Sequence, residues 1–166
     1  METLHRKICL LGAMAVGKTS LVRRFVEGMF SERYQATIGV KIDRKTVVSG
    51  NRQVNLVIWD LQGDDDIERV RASYLRGVSG LLIVADGTRP DTLQTASQIR
   101  ADADRSVGRV PTLLLLNKCD LQDTWHVDDR GATPDWNGLH TLRTSARTGE
   151  NVEEAFSALV GRILTA

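Results

Sequence analysis

The sequence GAMAVGKT, residues 12–19, decides the fold because it fits the pattern GxxxxGK(S/T) in the context that the pattern requires. It follows KICLL at residues 7–11, an apolar run that predicts a strand, and it opens the helical sequence SLVRRFVEG at residues 20–28. Glycines at such a turn let successive backbone N–H groups converge on phosphate oxygens, and the helix N-terminus adds a positive dipole. Four matching positions favour a phosphate site over an ordinary glycine-rich turn. Lys18 is then predicted to reach the β- and γ-phosphates, and Thr19 to bind Mg²⁺.

Short β-rich segments alternate with helical ones along the 166 residues. Residues 41–49 and 53–60, joined by Gly50-Asn51, predict an antiparallel hairpin, and GLLIVAD (80–86) and VPTLLLLNK (110–118) predict strands buried on both faces. Further helices are predicted at 67–75, 92–106 and 151–164, and a last strand at 139–144. The sequence therefore predicts an α/β fold: a mostly parallel six-stranded sheet with one antiparallel edge strand and helices on both faces. In such sheets, ligands bind at the carboxyl ends of the strands.

Composition limits the partners and the location. A net charge of +1 gives no basic field for nucleic acid, and the two cysteines, Cys9 and Cys119, have no metal-binding spacing. No segment has the length of a membrane span, and no cysteine near the C-terminus could carry a lipid. We therefore expect a cytoplasmic protein without a direct lipid anchor.

The sequence NKCD, residues 117–120, ends the apolar strand LLLL. The Asp120 carboxylate can accept hydrogen bonds from N1–H and the 2-amino group of guanine, whereas adenine has an unprotonated N1 and no 2-amino group. Asn117 can serve the loop and the N7 edge of the base. Alone, such residues form a turn or a helix cap; after a phosphate loop and a second buried strand, a guanine site is favoured.

Three further features indicate a nucleotide site only when they are taken together. Asp60, the last residue of the run NLVIWD, forms DxxG with Gly63; Asp60 would hold Mg²⁺ through water and the Gly63 N–H would meet a γ-phosphate. Thr37 lies in the polar connection before the hairpin, and its hydroxyl could close over the metal. In TSA, residues 144–146, small side chains would let a backbone N–H approach a base oxygen. Each feature alone is an ordinary strand-end or loop residue.

In their order and spacing, GAMAVGKT, the TIG threonine, WDxxG, NKCD and TSA resemble the motifs of the Ras-like small GTPases. The stretch ERVRASYLRGVSGLLIVADGT, with TIGVKI, looks most like the Rab branch. The resemblance runs from Lys7 to about Leu164 and implies the small G-domain form of the P-loop NTPase fold, as a single GTP-binding domain over residues 1–166. It also implies GTP/GDP and Mg²⁺ as cofactors. Effector, exchange and activating proteins would bind at residues 30–41 and 63–77.

On this match, Phe30 would pack against the guanine and Tyr34 would lie near the γ-phosphate. The predicted catalytic residues are Lys18, Thr37, Gly63 and Asp64, and the predicted metal ligands are Thr19, Thr37 and Asp60. The predicted cofactor contacts are Gly12, Ala15, Val16, Gly17, Lys18, Thr19, Ser20, Phe30, Tyr34, Thr37, Gly63, Asn117, Lys118, Asp120, Ser145 and Ala146.

Two positions depart from the family pattern and predict slow hydrolysis. Asp64 follows DxxG where the family usually has a glutamine that orients the attacking water. An ionised carboxylate donates no hydrogen bond and is repelled by the γ-phosphate, and Gln62, before the glycine, is not expected to substitute. Met14 adds bulk near the catalytic water and any arginine finger. An alternative is that Asp64 acts as a base or accepts an arginine from a partner.

Residues 124–138 also depart, because Gly131, Pro134 and Gly138 predict a loop or a fragment of helix where the family has a regular helix. The absence of a terminal cysteine predicts a prokaryotic or atypical, unprenylated member. We therefore predict a guanine-nucleotide switch that hydrolyses GTP slowly. The alternatives are an interaction module locked to one nucleotide with little or no turnover, and an ATP-using P-loop enzyme.

Overall fold

The computed structural model of the chain describes residues 1–33, 37, 39–61, 72–127, 135–136 and 138–166. The described helices are α1 (Lys18–Glu27), α2 (Ala72–Leu75), α3 (Asp91–Val107) and α4 (Val152–Thr165), with a short 3₁₀ helix at Gln122–Thr124. The described strands are β1 (Glu2–Gly12), β2 (Val40–Ser49), β3 (Arg52–Leu61), β4 (Gly80–Asp86), β5 (Thr112–Asn117), β6 (Asp135–Trp136) and β7 (Leu139–Arg143).

These strands form one sheet in the order β2-β3-β1-β4-β5-β7-β6. β1 runs parallel to both of its neighbours, β3 and β4, and the parallel pairing continues through β5 to β7. β2 is antiparallel to β3 at one edge, as the hairpin prediction required. Strand order therefore reverses at β1, and the crevice beyond its carboxyl end is the expected ligand position.

Alternation along the buried strands divides the core between the two faces of the sheet. On β1, Ile8 and Leu10 pack with α1 and α4 in one cluster, whereas Cys9 and Leu11 pack with α3 in another. The first cluster includes the rings of Phe25 and Phe156, which stack with centroids 3.9 Å apart. Helices thus cover both faces, which is why β4 and β5 are apolar without alternation.

The six predicted strands, the antiparallel edge strand β2 and the helices on both faces are confirmed. One addition is β6, a two-residue strand antiparallel to β7 at the far edge of the sheet. The prediction of a loop or a fragment of helix for residues 124–138 was wrong at β6. A two-residue strand is too short to show an alternation of apolar and polar residues in the sequence. β1 also begins at Glu2 rather than at Lys7, since Glu2 pairs with Arg52 of β3.

The predicted helix at 67–75 lies partly outside the described residues; its described part is α2. Across the described portion of the chain, no helix combines the length and apolar character that crossing a membrane requires.

Candidate functional site

The GAMAVGKT loop leaves the carboxyl end of β1 and enters α1 at the point where strand order reverses. Close packing requires glycine at both Gly12 and Gly17. A Cβ on Gly12 would lie 2.4 Å from the Val84 carbonyl oxygen of β4, and one on Gly17 would lie 2.3 Å from Asn117 Nδ2. Gly17 also has a φ of 101°, which disfavours any side chain. The glycines therefore let the loop pass against β4 and β5.

Side chains from outside the loop hold three of its consecutive carbonyl groups. A carbonyl and the N–H of the same trans peptide point in opposite directions. The N–H groups of Ala15, Val16 and Gly17 are therefore directed away from these holding side chains, as phosphate binding requires. The three bonds are Arg89 Nη2 to Met14 O (2.7 Å), Lys118 Nζ to Ala15 O (3.0 Å) and Asn117 Nδ2 to Val16 O (3.0 Å).

Lys18, the first residue of α1, is buried although it carries a charge. Its Nζ donates to the carbonyls of Gly12 and Ala13, both at 3.1 Å. These bonds fold the side chain back over the loop and hold the ammonium beside it. The arrangement can neutralise a phosphate without a further rearrangement of the chain.

Oxygen atoms from three segments meet beside the start of α1. Thr19 Oγ1 lies 2.7 Å from Thr37 Oγ1 and donates to Asp60 Oδ2 at 2.5 Å. Asp60 is fully buried, and its Oδ1 has no hydrogen-bond partner among the described residues. Burial raises the pKa of Asp60, and the Thr19 hydrogen bond and the charge of Lys18 offset part of that effect. A carboxylate oxygen without a partner and two hydroxyls fit Mg²⁺, a hard cation that takes oxygen ligands and retains water.

Replacing Asp60 by Asn is expected to remove most of the effect of Mg²⁺ on nucleotide binding. Residues that orient metal ligands typically change metal affinity about 10- to 100-fold. The expected result is a GDP dissociation rate that no longer rises when EDTA removes Mg²⁺. Asp43→Asn, on the neighbouring strand, is the matched control and should keep the Mg²⁺ effect. An Asp60→Asn variant with the full Mg²⁺ effect would contradict the assignment.

The same substitution should change how stability depends on pH. Because the pKa of Asp60 is raised, the folded, metal-free protein retains a proton that the unfolded chain has already released. Its free energy of unfolding therefore falls as pH rises from the ordinary aspartate pKa through the raised one. Asp60→Asn removes this fall, which urea unfolding of the metal-free protein at several pH values measures.

At the other end of the site, Asp120 and Ser145 are linked. Ser145 Oγ donates to Asp120 Oδ1 at 2.7 Å and accepts from the N–H of Thr148 at 3.1 Å, so the serine orients the carboxylate and the turn that follows it. Asn117 Oδ1 accepts from Thr144 Oγ1 at 3.1 Å. The NKCD and TSA segments are thus joined by side-chain hydrogen bonds.

Arg24 of α1 was not predicted from the sequence, and it holds the TSA segment through backbone carbonyls. Its Nε donates to the carbonyl of Ala146 at 2.8 Å, and its Nη2 to that of Arg147 at 2.5 Å. Holding the carbonyls positions the peptides of this turn beside Asp120. No motif could have revealed Arg24, because its acceptors are backbone atoms 122 and 123 residues away.

Asp86, at the end of β4, was also missed, and it anchors two of the side chains that hold the phosphate loop. Its buried Oδ2 lies 2.9 Å from Lys118 Nζ and 3.2 Å from Arg89 Nε. Burial alone would raise the pKa of Asp86, but hydrogen bonds from Thr88 and Lys118 outweigh it and hold the pKa below its ordinary value. The carboxylate therefore stays ionised and paired.

The structure brings together most of the predicted site residues at the carboxyl edge of the sheet. Phe30 lies half-buried against the core cluster of α1 and α4, and Ser20 lies in the first turn of α1. Met14 is 45% exposed. Tyr34, Gly63 and Asp64 lie outside the described residues, so their predicted roles stay predictions.

Comparison with known proteins agrees with this geometry. A family model described as "Ras family" matches residues 7–165. The Ras-related protein RIC1 of Oryza sativa subsp. japonica is 35% identical over 160 residues, which cover 95% of this chain and 79% of the relative. Ras-related protein RABD2c of Arabidopsis thaliana is 35% identical over 162 residues (96% and 80%), and Rab-13 of Canis lupus familiaris 32% over 161 residues (95% and 79%).

The chain belongs to the Ras family and is a small GTPase, which binds GTP and GDP with Mg²⁺ and hydrolyses GTP. Among these proteins it is Rab-like. Guanine nucleotides, and not ATP, are therefore its cofactors.

Proposed function

We propose that the chain is a single G domain over residues 1–166 that acts as a switch, hydrolysing GTP slowly and recruiting partners when GTP is bound. The observation that carries the proposal is the joining of the two ends of the site. The Asn117 side chain donates to Val16 O of the phosphate loop and accepts from Thr144 of the TSA segment. The next residue of that segment, Ser145, donates to Asp120. A cytoplasmic location stays a prediction from composition.

At the base, Asp120 reads guanine through N1–H and the 2-amino group, with its carboxylate oriented by Ser145. The Ala146 N–H would donate to the base oxygen, in a turn that Arg24 holds through the Ala146 carbonyl. Phe30 covers the face of the guanine. The roles of Asp120 and Ala146 are supported by hydrogen bonds that already hold these residues before a base is bound. The role of Phe30, which packs against the core cluster of α1 and α4, rests on the family resemblance.

At the phosphates, the Ala15, Val16 and Gly17 N–H groups bind oxygens, and the Lys18 ammonium neutralises the β- and γ-phosphates. Thr19, Thr37 and Asp60 would hold Mg²⁺, and this role is supported by Asp60 Oδ1, which has no hydrogen-bond partner within the described part of the chain. The metal supplies charge neutralisation across the phosphates. Gly63 and Tyr34 complete the γ-phosphate contacts in this proposal, as the resemblance implies.

Slow hydrolysis is assigned to Asp64 and Met14. Asp64 stands where the family positions water with a glutamine, and a carboxylate there repels the γ-phosphate. Met14 is 45% exposed, and on the family match its bulk would crowd a partner's arginine. Losing an arginine contribution matters, because such a residue raises the rate about 10³- to 10⁵-fold.

Residues 30–41 and 63–77 are proposed as the surface for effector, exchange and activating proteins. An apolar patch joins Ile42, directly after the first segment, to Tyr74 of the second. Ile42 of β2 is exposed and pairs with Trp59 of β3, whose ring lies 6.2 Å from that of Tyr74. Lys7 Nζ lies 3.7 Å from the centroid of the Trp59 ring. A patch of this kind suits a partner that contacts both segments at once.

Amide hydrogen exchange tests the switch directly. The protein is loaded with GDP or with a GTP analogue that resists hydrolysis, and exchange is followed by mass spectrometry in both segments. The proposal predicts stronger protection of residues 30–41 and 63–77 in the GTP-analogue state, because γ-phosphate contacts order them. Peptides from α4 serve as the internal control and should exchange equally. Equal protection of both segments in both states would indicate the nucleotide-locked module instead.

A further inference from the structure

We propose that Arg89 is a positioning residue for the phosphate loop, which holds the Met14–Ala15 peptide in the orientation that directs the Ala15 N–H toward bound phosphate. The inference rests on the proposed function, because it concerns the same nucleotide site. It starts from three observations that no sequence motif joins: a strained residue, a fixed carbonyl and a buried anchor.

Ala15 is the strained residue. Its φ is 62°, in the left-handed region where a Cβ is disfavoured. Rotating the Met14–Ala15 peptide by about half a turn would bring φ of Ala15 to a negative, relaxed value. The same rotation would exchange the Met14 carbonyl for the Ala15 N–H, so a carbonyl oxygen would face the phosphates. The peptide orientation that would relieve the strain at Ala15 is therefore the one that would disfavour nucleotide binding.

Arg89 opposes the relaxation. Its Nη2 donates to the Met14 carbonyl at 2.7 Å, and that bond would be lost if the peptide rotated. The guanidinium cannot easily follow the peptide, because its Nε is bound to Asp86 Oδ2 at 3.2 Å. Asp86 is itself buried and receives hydrogen bonds at Oδ1 from the N–H and hydroxyl of Thr88.

The anchor also serves the next peptide along the loop. Lys118 Nζ lies 2.9 Å from Asp86 Oδ2 and donates to the Ala15 carbonyl at 3.0 Å. One buried carboxylate thus supports two cations that hold the carbonyls on both sides of the Ala15 Cα atom. Of these two cations, Arg89 binds the carbonyl of the Met14–Ala15 peptide and therefore fixes the direction of the Ala15 N–H.

A double-mutant cycle between Arg89→Gln and Ala15→Gly tests the inference, with the rate of GDP dissociation as the readout. Glycine removes the strain, since it adopts a positive φ readily. We expect Arg89→Gln to accelerate GDP release about 5- to 150-fold when residue 15 is Ala, the range that such strain allows. In the Ala15→Gly background we expect a change of about twofold or less, the limit of ordinary additivity.

Two further variants separate positioning from general effects. Arg105→Gln removes a positive charge from α3, the helix that begins two residues after Arg89; Arg105 pairs there with Asp102, and the variant should leave GDP release unchanged. Arg89→Lys retains the charge but cannot bind Asp86 and Met14 with one fork, so it should behave like Arg89→Gln. It also preserves the test if Arg89→Gln folds poorly, which thermal melting of each variant would reveal.

Equal acceleration in the Ala15 and Ala15→Gly backgrounds would overturn the inference, as would no acceleration in either. Both results leave the proposed function standing, because the unsubstituted protein still binds GDP in them. A protein that binds no guanine nucleotide before any substitution would instead remove the proposed function, and this inference with it.

Discussion

Replacing Asp120 by Asn is expected to transfer base preference from guanine to xanthine. The asparagine oxygen still accepts from N1–H, but its amide N–H₂ faces the 2-amino group of guanine, donor against donor. Xanthine has a carbonyl oxygen at that position, which the amide can bind. Losing the charge-assisted bond to the 2-amino group costs about 1.5–3 kcal/mol, and the opposed donors left unpaired cost about 1–3 kcal/mol more. GDP affinity should therefore fall about 10²- to 10⁴-fold, while XDP affinity rises above that of GDP.

Calorimetric titration of the nucleotide-free variant with GDP and XDP measures this change. Asp123→Asn is the matched control, because Asp123 lies three residues further on, exposed in the short 3₁₀ helix. It should retain the guanine preference. An Asp120→Asn variant that still binds GDP better than XDP would show that another residue reads the base.

Lys18→Met is expected to reduce GDP and GTP affinity about 30- to 5,000-fold. Methionine keeps most of the apolar stem but removes the ammonium that the Gly12 and Ala13 carbonyls hold beside the loop. Truncating one member of a buried, hydrogen-bonded charge pair costs about 2–5 kcal/mol, which converts to this range. The loss should be larger for GTP than for GDP, because the lysine contacts both the β- and γ-phosphates.

The control for this prediction is Lys45→Met. Lys45 Nζ also donates to a backbone carbonyl, that of Phe25, and lies 4.1 Å from the centroid of the Phe25 ring, away from the phosphate loop. This variant should lose thermal stability and keep its nucleotide affinity within about twofold. If both lysine variants lose nucleotide affinity equally, the effect of Lys18 reflects folding and not phosphate binding.

Much of the fold could be predicted because its strands are buried on both faces. The run GLLIVAD coincides with β4 at both ends, and the Gly50-Asn51 turn joins β2 to β3 as expected. β6 and the first half of β1 could not be predicted. The residues 2–6 are mostly polar, and they become strand only because β3 offers them a pairing edge. Tertiary pairing overrides local propensity there.

Part of the candidate site could likewise be predicted from the sequence, and part could not. Motif residues such as Lys18 and Asp120 could be found because their chemistry requires a particular side chain at a particular spacing. Arg24, Asp86 and Arg89 could not, since two of them bind backbone carbonyls, which every residue carries, and Asp86 acts only through its neighbours. The positive φ of Ala15 is likewise visible only once the loop is closed around it.

The central claim, a switch whose hydrolysis is slow because Asp64 replaces a water-orienting residue, is tested most directly by single-turnover hydrolysis of bound GTP. Asp64→Gln is compared with the unsubstituted protein, and Asp65→Gln is the neighbouring control. We predict that Asp64→Gln raises the rate about 10- to 100-fold, the scale on which correct positioning acts, while Asp65→Gln leaves it unchanged. An Asp64→Gln rate equal to that of the unsubstituted protein would contradict the account.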